Sequence, residues 1–194
     1  MSSSSLLIKN AVSRLRVGCK GPAAEGWLHH QGIAVPSGPN RYSVDARGLL
    51  SARLATSEFL FEATAESAAE PLARARHALE HADVPSGVYP VLRQDHVIEI
   101  TGDRAQDLFL QTCAVDLLPV ERESREAVGP VVLTSMIGVS VVLACRPSAS
   151  GSTFTIWLDP SYAHYFWHEI HTIAAELGGT AAPASPVRPG GLPS

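Results

Sequence analysis

What this sequence has little of narrows it first. Charged residues make up 18% of the 194, the lysines are Lys9 and Lys20, and the formal net charge is -4 with no run of Lys or Arg. Such a chain has no electrostatic footprint for a nucleic acid or an anionic membrane, so neither is expected as a partner. Cysteine is limited to Cys19, Cys113 and Cys145, an odd and widely spaced set that reads as buried free thiols in a reducing cytosol. MSSSSLLIKN lacks the long apolar core and cleavage-like site of a signal peptide. The longest nearly apolar run, VVLTSMIGVSVVLAC from Val131 to Cys145, is shorter than a membrane span and turns at Gly138, so it reads as two core strands. A cytoplasmic setting is expected. Gly-rich nucleotide fingerprints are missing too: Gly21 and Gly102 each stand alone before a helix, and Asp103 puts a carboxylate where a phosphate would sit. No nucleophile elbow or local Ser, His, Asp spacing occurs. Accordingly, no catalytic residue and no cofactor-binding residue is assigned within the chain.

What the sequence does have is a pattern written twice. In HVIEITGDRAQDLFLQTCAVDLLP, from His96 to Pro119, Ile98 and Ile100 alternate with Glu99 and Thr101 as in a strand with one buried face. Gly102 breaks the strand, Asp103 is placed to cap a helix, and Ala105, Leu108, Phe109 and Cys113 recur at helical spacing before Pro119 closes the unit. Earlier, Leu15, Val17 and Cys19 alternate with Arg14, Arg16 and Gly18, followed by Gly21, then Ala24, Trp27 and Leu28, then Pro36. Three strands are predicted after each: Arg41 to Ala46, Leu49 to Leu54 and Glu58 to Glu62 in the first half, and Val131 to Ser135, Val139 to Arg146 and Thr153 to Leu158 in the second. Each set feeds a helix. The extra length of the second half falls in loops around Arg122 to Gly129 and Pro147 to Ser152, where insertion is cheap.

The expected architecture is α+β, with two pseudo-repeated halves, each an antiparallel sheet with two helices. A flexible arm is expected over 1–11, a single globular domain over 12–179 with halves at about 12–83 and 91–179, and a disordered Pro, Gly and Ala rich tail over 180–194. Leu6, Leu7 and Ile8 are the one hint that the arm docks. DVPSGVYP, from Asp83 to Pro90, reads as the linker between halves. Ser67 and Glu70 form a capping-box pattern before a stripe of Ala68, Leu72, Ala75 and Leu79. The last helix is the best marked, with Asp159 as N-cap, Pro160 at the first helical position, and a stripe through Ala163, Phe166, Trp167, Ile170, Ile173, Ala174 and Leu177 that ends at Gly178 and Gly179.

On that helix His164, His168 and His171 share one face, away from the apolar stripe. Three imidazoles are a possible metal-ligand set, but without an acidic or thiol partner on the same face they read as a solvated or subunit-contacting surface. With Trp157, among the aromatic residues gathered at the helix start, they form the candidate partner interface. His77 and His81 read as an exposed pair near a helix end.

Five segments taken in order resemble a known family: GCKGPAAEGWLHHQGIAVPSGPNR, LLSARLATSEFLFEA, IEITGDRAQDLFLQTCAVDLLP, TSMIGVSVVLACR and FTIWLDPSYAHYFWHEI. Together they resemble the gamma subunit of heterotetrameric sarcosine oxidase, itself similar to the N-terminal folate-binding region of the glycine-cleavage aminomethyltransferases. The resemblance runs from about Val12 to Leu177. It implies a non-catalytic subunit, with partner flavoprotein subunits that carry FAD, FMN, NAD and tetrahydrofolate, oxidise an N-methyl amino acid and pass the one-carbon unit to tetrahydrofolate. It also implies that a folate-contacting carboxylate belongs in a hairpin turn, and the corresponding turn here, Met136 to Val139, has none. GCKG, from Gly18 to Gly21, shares letters with the Lys-Gly-Cys motif of folate-dependent iron-sulfur maturation proteins, but in another order. The alternative is a stand-alone folate or aminomethyl-binding protein using the cleft between the halves.

Overall fold

A computed structural model of the chain describes residues 5–11, 14–81, 84–125, 127–148 and 151–182. Residues 12 and 83, expected as boundaries, and the tail beyond 182 lie outside the described residues, as do 126, 149 and 150 in the two expected loops. The elements in order are β1 (Leu7–Asn10), β2 (Arg16–Lys20), α1 (Ala24–His30), β3 (Arg41–Val44), β4 (Leu49–Ala55), β5 (Glu58–Ala63) and α2 (Glu66–His81). They continue as β6 (Tyr89–Val91), β7 (His96–Thr101), α3 (Ala105–Thr112), α4 (Leu118–Glu123), β8 (Val128–Met136), β9 (Val139–Ser148), β10 (Gly151–Leu158), α5 (Ala163–Glu176) and β11 (Thr180–Ala182). The fold is α+β.

The strands form one sheet in the order β11-β1-β7-β10-β9-β8-β3-β4-β5-β2-β6, where separate sheets in each half were expected. The join is β3 against β8, with Ser43 opposite Val128 and Arg41 opposite Pro130. Reading outward from it, the order is β3-β4-β5-β2 on one flank and β8-β9-β10-β7 on the other. The pairs are antiparallel except β1 with β11, which is parallel. Helices cover the outer faces. Val17, Cys19, Phe59 and Phe61 pack under Leu28 of α1 and Leu72 of α2; Ile98, Ile100, Phe154 and Ile156 pack under Phe109 of α3 and Phe166 of α5. The sheet curls so that its inner faces meet, burying Tyr42, Leu50 and Leu60 against Val97, Val131 and Trp157. β7 is therefore buried on both faces, Val97 and Glu99 inward and Ile98 and Ile100 outward, where alternation had predicted one.

The arm expected over 1–11 is a strand at Leu7–Asn10, with Leu6 and Ile8 fully buried against Ile98 and Ile100. Likewise Tyr89–Val91 in the linker region and Thr180–Ala182 in the expected tail are strands. Short apolar segments flanked by Ser or Pro carry little local signal, and here only an open sheet edge fixes them. The placement is reciprocal: β1, which precedes β2, pairs with β7, and β6, which precedes β7, pairs with β2. This exchange explains the two glycines before α1 and α3. Gly21 has φ +121 and a Cβ there would stand 2.2 Å from the Gly87 carbonyl oxygen; Gly102 has φ +113 and a Cβ would stand 1.9 Å from that of Ser5.

Local expectations met mixed outcomes. Asp159 accepts the N–H of Ser161 at 2.8 Å and starts the single 3-10 turn that leads into α5. Asp103 does not cap α3, whose first N–H, on Ala105, bonds the Gly102 carbonyl instead. Pro119 starts α4 in its first turn instead of closing a unit, as proline's preset φ allows. α2 begins at Glu66, so the Ser67 hydroxyl donates to the Arg47 carbonyl and Pro71 falls beyond the first turn.

Candidate functional site

The inner faces meet around a charged centre. Register places Glu62 of β5 opposite Arg16 of β2, and Trp157 of β10 opposite Val97 of β7. The curl then brings Glu62 and Trp157 together: the indole Nε1–H donates to Glu62 Oε2 at 2.7 Å, and Glu62 is fully buried. Arg14, just before β2, donates to Glu62 Oε1 at 3.1 Å and to Glu99 Oε1 of β7 at 2.6 Å. Arg146 of β9 reaches the same Glu99 oxygen at 3.4 Å, and Arg16 lies 3.7 Å from Glu62 Oε2. Burial works against the Arg14 charge, but bonding and attraction to Glu99 and then Glu62 outweigh it, so its pKa lies above the ordinary arginine value. Two carboxylates thus sit among three guanidiniums and an indole N–H, which is how buried charge is made tolerable.

This centre holds the flanks together and presents no activated nucleophile. Burial pushes the Cys19 thiol up to about 12, against a lowering by Arg93, and the Cys145 thiol up to about 11. Both stay protonated and inert near neutrality. His96, at the start of β7, is pushed below its ordinary value by burial and by the Arg16 charge, which favours the neutral ring.

Two grooves flank the centre. One, of about 420 Å³, lies between β2, the end of α2 and the segment after β6, with Arg16, Arg76 and Arg93 in its lining. The other, of about 530 Å³, lies on the inner face of β8, β9 and β10, with Asp95, Ser135, Ser140, Trp157 and Asp159 in its lining. Asp95 Oδ2 is buried beside it without a hydrogen-bond partner.

The predicted interface residues separate. His164, His168 and His171 stand exposed on α5 with Tyr165, and exposed Tyr162 lies in the 3-10 turn just before it. His168 Nδ1 is 3.2 Å from Glu169 Oε1, and among the described residues no group of three His, Cys, Asp or Glu side chains is placed to hold a metal ion. Trp157 is 1% exposed and spends its N–H on Glu62, so it belongs to the core and not to the surface predicted for it. The Met136 to Val139 turn has Ile137 at φ +44 and Gly138 at φ +81, and Tyr165 Oη donates to the Ile137 carbonyl at 3.0 Å. His77 and His81 stack at 4.5 Å on the exposed end of α2. Sequence reasoning did not single out Glu62, Glu99, Arg146 or the three groove arginines. A signal existed for part of it: Arg14 and Arg16 alternate with apolar Leu15 and Val17, and an Arg-bearing face needs carboxylates when both faces are covered.

No protein-family model matches the sequence, and no curated protein matches it either. Solved structures do. A chain of heterotetrameric sarcosine oxidase from Corynebacterium sp. U-96, in complex with pyrrole 2-carboxylate, is similar at TM-score 0.66 and 19% identity, over 92% of this chain and 88% of that one. The glycine cleavage system aminomethyltransferase T from Bartonella henselae is similar at TM-score 0.61 and 14% identity, over 93% of this chain and 48% of that one. The chain thus spans about half of the aminomethyltransferase. No helix among the described residues is long and apolar enough to cross a membrane. The α+β fold of this chain is shared with both.

Proposed function

We propose that this chain is a non-catalytic, gamma-type subunit of a sarcosine-oxidase-like complex. Its partners would be larger flavoprotein subunits that bind FAD, FMN, NAD and tetrahydrofolate, demethylate an N-methyl amino acid and deliver the one-carbon unit to tetrahydrofolate. The observation that carries this reading is correspondence along nearly the full length of both chains with a chain of such a heterotetramer. The closed centre supports it, since each carboxylate there is engaged by arginine or tryptophan and the buried thiols are protonated. The exposed face of α5, with His164, His168, His171, Tyr162 and Tyr165, is the contact surface in this proposal.

Co-expression with candidate flavoprotein subunits, followed by size exclusion, tests it. The chain is expected to co-elute with flavin absorbance, and Tyr165→Glu with His168→Glu to weaken co-elution. Elution of the chain alone under all conditions overturns the proposal. A second reading, a stand-alone folate or aminomethyl-binding protein, draws on the groove beside Trp157. Saturable tetrahydrofolate binding by the isolated chain would favour it.

A further inference from the structure

The arginine-lined groove has no part in the reading above. Its lining holds Arg16, Arg76 and Arg93 against one carboxylate, Glu80, in a protein of formal net charge -4. Two of the guanidiniums are fixed from behind. The Arg16 side chain is 7% exposed and donates to the Asp95 carbonyl at 2.9 Å; the Arg93 side chain is 11% exposed and donates to Glu58 at 2.8 Å. Arg93 also lies across Gly18, where a Cβ would stand 2.8 Å from its Nε and 2.9 Å from its Cγ. The glycine is what lets this arginine lie flat in the floor. Arg76, on the last turns of α2, is half exposed and lies 4.0 Å from Glu80, leaving it able to turn over the mouth. Leu79, Pro90, Val91 and Leu92 supply apolar wall, and Leu92 is 78% exposed.

We propose that this groove binds a small organic carboxylate, with its acid group held by Arg76 and Arg93 and its apolar body lying along Leu79, Val91 and Leu92. Guanidinium forks match carboxylates in plane and donor spacing. Arginines already ordered by Glu58 and Asp95 lose little further freedom when a ligand arrives. The volume, about 420 Å³, falls within the range of small-molecule sites. The apolar wall separates this from a site for free phosphate, which would gain nothing from Leu92. The inference stands on the groove alone and does not depend on the subunit reading.

The test is an NMR titration of the full chain with benzoate, with benzamide as the neutral isostere and inorganic phosphate as the anion without an apolar body. Benzoate is expected to give saturable shifts confined to Gly18, Leu79 and residues 91–94, and benzamide to bind at least about tenfold more weakly. Arg76→Gln is expected to weaken benzoate roughly fivefold, and Glu80→Gln to tighten it about twofold to threefold, by removing the carboxylate beside Arg76. Both side chains are half exposed, so both variants keep the fold. Absence of saturable shifts, equal binding of benzamide, or an Arg76→Gln variant that binds as well as the parent overturns the proposal. Phosphate binding as tight as benzoate likewise overturns it, since the apolar body is part of the proposed ligand.

Discussion

The two flanks of the sheet share a strand order and differ in what they place at matched positions. On one flank the residue of β5 facing β2 at the centre is Glu62; on the other, the residue of β10 facing β7 is Trp157. These two are each other's partners. One flank carries an arginine-lined groove, the other a groove lined by Asp95 and Asp159. The backbone plan is thus held by few constraints, such as the close approaches at Gly21 and Gly102, while side chains on the two flanks serve different ends. A carboxylate facing a carboxylate at the centre would repel; a carboxylate facing an indole N–H locks.

The backbone constraints are the place to break the shared plan. Gly102→Ala forces a Cβ to within 1.9 Å of the Ser5 carbonyl at a left-handed φ, and Gly21→Ala does the same to Gly87 at 2.2 Å. Each is expected to cost about 4 kcal/mol in urea unfolding, from strain plus overpacking. A loss under about 1 kcal/mol would mean that the exchanged strands yield easily. Next, Glu62→Ala leaves Arg14 and the Trp157 N–H short of a partner and is expected to cost about 3 kcal/mol. Trp157→Phe, which leaves Glu62 its arginines, should cost about 2 kcal/mol, with coupling of about 1 kcal/mol or more in the double-mutant cycle. Additive effects would show that the flanks do not communicate through this bond. Ile8→Ala probes the exchanged strand itself and is expected to cost about 3 kcal/mol, since Ile8 is fully buried, where a flexible arm would show no change.

The smallest effect is one of pH. The folded His96 has its pKa held below the usual 6.5 by burial and Arg16, so the unfolded chain binds the proton more readily. Its contribution to stability is therefore complete above pH 6.5 and is lost as pH falls from 6.5 through the lower folded value. His96→Gln should flatten that part of the stability profile; an unchanged slope between the two proteins would refute the assignment.

Much of the plan was legible in the sequence because it is written in local periodicity. The stripe Phe166, Ile170, Ala174 and the Asp159 turn announce α5 and its start. What was not legible depends on contacts far apart in the chain. β1, β6 and β11 are short segments that acquire strand character only from an open edge on another element. The centre could not be read because Arg14, Glu62, Glu99 and Trp157 come from four separate segments, and an Arg or Glu on a strand reads as solvent-facing until the sheet is known to curl. Trp157 was misplaced for the same reason: an aromatic beside an exposed helix looks like interface until its N–H is seen to point inward.

In the gamma-type subunit proposed above, the middle of this domain would be a structural lock and not a folate site. Titration of the isolated chain with tetrahydrofolate, followed by the fluorescence of Trp157 against a Trp157→Phe control, tests this most directly, because that indole lines the second groove and touches the lock at once. No saturable change in emission is expected. A saturable quench that disappears in Trp157→Phe would contradict it and place folate binding within this chain.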